Sequence, residues 1–85
     1  MDSEYFSAQI IEATATRPRR VKVCNRKTGQ TFERPFPRFD PGFSNAHQLK
    51  RFLCEMYTSP LLNAPRFLWY DDKFEMLFYE VIPKE

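Results

Sequence analysis

The 85-residue chain is 42% hydrophobic and 16% aromatic, which fits one compact domain over residues 1–85 and argues against disorder. Its formal net charge of +2 is too small to mark a general polyanion binder, and two glycines are too few for a Gly-rich phosphate loop. A chain this short buries only about 60–65% of the surface its unfolded form exposes. The nine Phe, four Tyr and one Trp must therefore supply much of the core.

Residues 1–5 read as a loose terminus. Met1-Asp2-Ser3-Glu4 starts acidic with no apolar segment behind it, so no signal peptide is expected. Ser7 to Ala15 reads as a strand around Ile10 and Ile11, ended by Pro18. Arg20 to Cys24 alternates, with Val21 and Val23 on one face and Lys22 and Cys24 on the other, as a half-buried strand does. Asn25 to Gly29 is a turn, because Asn favours turns and Gly takes positive φ freely. Thr31 to Phe36 is the return strand, with Phe32 and Phe36 as core candidates and Pro35 and Pro37 suiting an edge.

Arg38 to Phe43 is a loop turning at Asp40-Pro41-Gly42, and Ser44 is positioned to cap a helix. Ala46, Leu49, Phe52, Leu53, Met56 and Tyr57 recur at helical spacing and form one apolar stripe, which predicts a helix over residues 44–57. Thr58-Ser59-Pro60 ends it, and Leu61 to Pro65 is a loop. Arg66 to Tyr70 and Lys73 to Ile82 then form a hairpin around Asp71-Asp72. Apolar residues occupy both faces of these strands. Such strands are either covered twice or keep one face for a partner. The reading is an α+β domain of order βββαββ, an antiparallel sheet with one amphipathic helix packed on one face. A β-grasp-like ββαββ plan is the alternative.

Little in the sequence points to catalysis. His47 is the only histidine, and Cys54 lies seven positions after it, about two helical turns or ~10.5 Å of rise away. Asp71-Asp72 reads as turn chemistry rather than as a catalytic carboxylate pair. No zinc spacing, phosphate loop or dinucleotide fingerprint occurs, so neither an enzyme nor a cofactor or metal is expected. Cys24 and Cys54 are too few for a disulfide framework and read as reduced, half-buried thiols. No apolar run approaches the length of a membrane span. A cytoplasmic protein is the expectation.

Two surfaces carry the functional signal. Between Arg17 and Arg38 eight basic residues face Glu33 alone, a local balance of +7. Arg19, Arg20, Lys22, Arg26, Lys27 and Arg34 are its candidate contact residues, read as one basic face. Between Asp71 and Glu85 five acids oppose two lysines, a balance of −3. There the candidate partner-binding residues are Trp69, Tyr70, Asp71, Asp72, Phe78, Tyr79 and Glu80, because aromatic side chains anchor interfaces and acids steer a basic partner. The blander possibilities are core filling for the aromatics and a solvated face for the cations.

The element order, Asp40-Pro41-Gly42 before the helix, Ser59-Pro60 after it and a hairpin closing near Ile82-Pro83 resemble the plan of small phage-encoded anti-CRISPR proteins. That resemblance implies a non-enzymatic, stoichiometric inhibitor or adaptor that occludes a partner protein or ribonucleoprotein complex. No site residue carries over from it. The alternative expectation is a nucleic-acid-binding protein using the basic hairpin Arg17–Arg38.

Overall fold

The computed structural model describes residues 3–37, 40–57 and 65–82. The elements run β1 (Glu4–Ile11), β2 (Arg20–Asn25), β3 (Thr31–Pro35), α1 (Asn45–Met56), β4 (Arg66–Asp71) and β5 (Met76–Val81). This is the βββαββ order expected from the sequence. The sheet order is β3-β2-β1-β5-β4, and every neighbouring pair is antiparallel. The ββαββ alternative does not form, because β1 is the central strand, paired with β2 on one side and β5 on the other.

β1 begins three residues earlier than the periodicity suggested and ends at Ile11. Its pairing explains the shift. Phe6 and Ala8 are buried on the helix side, Ser7 on the other, and Glu4 pairs with Val81. Tyr5 and Phe6 are themselves strand-favouring residues, and pairing with β5 carries the strand back to Glu4.

α1 covers one face of the sheet. Ser44 Oγ accepts the His47 backbone N–H at 3.2 Å, and the Tyr57 N–H returns to the Leu53 carbonyl. Leu49 and Leu53 are fully buried, with Phe52, Met56 and Tyr57 packed at the margin. Beneath them lie Phe6, Ala8, Val21, Val23, Leu77, Tyr79 and Val81, with Phe36 closing one end. Period-2 alternation puts each of these strand residues on the helix side of its strand.

The tight turns after β2 and after β4 are held by side chains. Asn25 Oδ1 accepts the Lys27 and Thr28 N–H groups, and Gly29 takes φ +80°. Asp71 Oδ1 accepts the Lys73 and Phe74 N–H groups, and Glu75 carries φ +53°. The second turn therefore consumes residues up to Glu75, and β5 restarts at Met76 rather than at Lys73.

One irregularity reorganises the last hairpin. Phe67 faces Tyr79 and Trp69 faces Phe78, so Leu68 is an extra residue in β4. A bulge of this kind shifts the alternation by one. Phe67 and Tyr70 both turn to the helix side, while Trp69 turns away from it. Strict alternation, which pairs Phe67 with Trp69, is overturned by this bulge.

Candidate functional site

The face of the sheet opposite α1 has no covering element among the described residues. Antiparallel pairing lines its central row up as Thr31, Cys24, Ser7, Phe78 and Trp69, crossing all five strands. The row has a step in it. Thr31, Cys24 and Ser7 are small and form a floor, while Phe78 and Trp69 stand up as a wall. The two rings are stacked, with centroids 4.6 Å apart and planes 7° apart. The Arg26 guanidinium lies 5.7 Å from the Phe78 centroid, reaching across the small Ser7. Phe78 thus contacts both an indole and a cation.

Trp69 is 55% exposed although it is the largest side chain of the hairpin. It belongs to an edge strand, so one ring face meets Phe78 and the other meets solvent. Tyr5, 48% exposed, stands on the same open face beside Arg26. A groove of about 150 Å³ runs beside the wall, lined by Ser7, Gln9, Lys22, Cys24, Arg26, Thr31 and Met76. A second, wider depression meets it at Arg26 and is bounded by Ser3, Tyr5 and Lys27.

The candidate hairpin residues separate by face. Trp69 and Phe78 come together on the open face. Tyr79 does not join them: it is fully buried, stacked on Phe6 at 5.3 Å, with its hydroxyl 3.0 Å from that of Tyr57. As a partner-contacting residue it is corrected to a core residue, because its strand parity matches that of Leu77 and Val81. Burial pushes its hydroxyl far above the ordinary phenol range, and the bond to Tyr57 adds to the shift. Tyr70 also turns to the helix side. Its phenol is raised by burial first, then by the nearby carboxylates of Glu75, Asp72 and Asp71.

The hairpin acids are used internally more than the sequence suggested. Glu80 is only 6% exposed and pairs with Arg66 at 3.3 Å. Asp71 caps its own turn. Asp72 is exposed.

The basic residues are likewise divided, so the expected single basic face is corrected to two. Arg19 is 8% exposed and lies on the helix side. Its guanidinium sits 4.6 Å from the Phe36 ring centroid, pairs with Glu12 and donates to Gln48 Oε1 at 3.1 Å. Gln48 Nε2 in turn donates to the Asp40 and Phe43 carbonyls. This buried polar belt ties the loop before α1 to the sheet, and sequence periodicity misses it because Gln48 reads as surface. Arg34 lies 4.6 Å from the Phe32 ring centroid. Lys22, Arg26 and Lys27 are exposed on or beside the open face. Arg20 is on that face too, but it and Arg17 both donate to Glu33 Oε1 at 2.8 Å.

Cys24 is partly exposed in the groove floor, Cys54 is exposed on α1, and both are unpaired. The expectation of two half-buried thiols therefore fits Cys24 only. His47 stacks on Phe43 with centroids 4.6 Å apart. Among the described residues no cluster of three or more His, Cys, Asp or Glu side chains gathers to hold a metal. No helix among them is long and apolar enough to cross a membrane. No protein-family model matches the chain, and searches of curated proteins and of solved structures give no significant match.

Proposed function

We propose that this protein is a non-catalytic binding module that docks another protein on the open face of its sheet. The observation that carries the reading is the exposed Trp69–Phe78 stack on a face that α1 leaves bare. A small domain has every reason to bury a Trp, so one left over half exposed on a sheet strand is a ready interface anchor. The aromatic, Arg-bearing composition of the face is that of interface centres.

The mode of action that goes with this reading is stoichiometric occlusion, as an inhibitor or adaptor. The resemblance to anti-CRISPR proteins adds a partner class, a nucleoprotein surveillance complex, and a phage setting. A cytoplasmic location belongs with the same reading and with two unpaired cysteines.

Binding of nucleic acid on the basic hairpin is the competing reading. It is weakened by the division of the cations between two faces and by the pairing of Arg17 and Arg20 with Glu33.

The test is affinity capture from native host lysate with the wild-type chain and with Trp69→Ala, each repeated after nuclease treatment. A protein retained after nuclease and lost with Trp69→Ala supports the reading. Truncation of a central anchor should weaken that complex by about thirtyfold, ~2 kcal/mol, with the fold intact. Purified partner should then be inhibited near one-to-one. Retention that vanishes with nuclease, or turnover of a chemically altered target, overturns it.

A further inference from the structure

We propose that the groove beside the aromatic wall receives an acidic segment of the partner protein, one that places a carboxylate next to an apolar side chain. This rests on the protein-docking reading above and names the chemistry of the docked surface.

Charge complementarity carries the inference. The cations of the open face fall into two groups. Arg17 and Arg20 converge on Glu33, and Arg66 pairs with Glu80. Their charges are met within the chain. Lys22, Arg26 and Lys27 make no ion pair among the described residues, and all three line the groove or the depression that joins it. Lys22 even lies directly across the strand pair from Glu33, yet that carboxylate is held by Arg17 and Arg20. The groove therefore keeps a concentrated positive charge beside a low floor of Thr31, Cys24 and Ser7. An entering carboxylate can meet Lys22 and Arg26 together, with Lys27 at the rim.

The apolar half of the site lies alongside. Met76 borders the groove, and Phe78 and Trp69 rise beyond it. A segment whose acid sits at Arg26 would carry its neighbouring aliphatic or aromatic side chain onto this wall. Desolvation there strengthens the charged contact.

The same geometry disfavours a nucleic-acid strand as the occupant. Successive bases need separate, free ring faces on which to stack. Phe78 is already engaged by both Trp69 and Arg26, which leaves the outer face of Trp69 and the separate Tyr5 ring rather than a continuous stacking platform. Tracking a backbone also needs a run of available cations, and several here are neutralised internally.

The experiment is selection of a random-peptide library on the immobilised full chain, followed by affinity measurement of the enriched peptides. Four proteins are compared: wild type, Trp69→Ala, Lys22→Glu/Arg26→Glu, and the milder Lys22→Gln/Arg26→Gln. The Gln pair serves if charge reversal disturbs the fold, which the unfolding midpoint reports. The expected result is enrichment of Asp or Glu beside an apolar residue. Affinity should fall about tenfold or more in either cation variant, and the Glu variant should select Lys or Arg instead. Trp69-dependent peptides that carry no acid and bind both cation variants normally would overturn this inference while leaving the docking reading standing. Absence of any Trp69-dependent peptide would overturn both. An oligothymidylate probe that binds the wild type, loses affinity steeply with salt and needs Lys22 and Arg26 would overturn it in favour of nucleic acid.

Discussion

Tyr79 is the residue at which chemistry and fold are most tightly joined. Its ring fills the centre of the core between Phe6 and Tyr57, and its hydroxyl finds a partner in Tyr57. Burial raises the hydroxyls of both tyrosines above the ordinary phenol range. The folded chain thus keeps phenolic protons that the unfolded chain releases near its ordinary pKa of about 10. Stability from the pair is fully present below that pH and declines as pH rises beyond it. Denaturant melts at neutral and strongly alkaline pH should show this loss, and Tyr79→Phe should make the decline shallower. An unchanged alkaline slope in that variant would remove Tyr79 from the account. At neutral pH the same substitution should cost about 0.5–1.5 kcal/mol for the lost hydrogen bond. Leu53 tests packing rather than polarity. It is fully buried, so Leu53→Ala should cost about 2–5 kcal/mol, read as a large drop in the denaturation midpoint.

At the scale of elements, the helix and its cap were legible from spacing alone. Ser44→Ala removes the acceptor for the His47 N–H and should cost ~1 kcal/mol by denaturant titration. The β4 bulge was not legible. Nothing in Phe67-Leu68-Trp69-Tyr70 marks which residue is extra, because all four are large and apolar. The choice is made by Tyr79 and Leu77, opposite which Phe67 and Tyr70 must sit to reach the core. The bulge then has two effects. It sends Trp69 to the open face, and it distorts an edge strand that would otherwise invite a further strand. The opposite edge, β3, carries Pro35, which has no backbone N–H to offer.

On the scale of the whole molecule, β1 decides integrity. It is the central strand, and the sheet continues from β3-β2-β1 into the last hairpin through its backbone pairing with β5. Amide hydrogen exchange should be slowest in β1, around Ala8, and fastest in the edge strands β3 and β4. Deleting residues 1–11 should abolish cooperative unfolding, and a deletion variant that still melts cooperatively would contradict this topology. One face covered by α1 and one with no covering element among the described residues also make the molecule two-sided. α1 serves the core, and the open face is the surface proposed for docking.

The sequence by itself determined the local structure. The 3.6-residue stripe of Leu49, Phe52, Leu53 and Met56, the alternation around Val21 and Val23, the Ser44 cap and the Asn25 and Asp71 turns are all short-range signals. Each was readable because its physical cause lies within a few residues. The tertiary structure decided everything that depends on sidedness. Trp69 and Tyr79 looked alike in the sequence, as aromatic residues of one hairpin. Strand register buries the second, and a single bulge exposes the first. Arg19 and Lys22 looked alike as members of one basic run. Parity and the approach of Gln48 draw Arg19 into the core margin and leave Lys22 beside the groove. A one-residue shift along a strand exchanges core for surface, and only the pairing of distant strands fixes which residue takes which side.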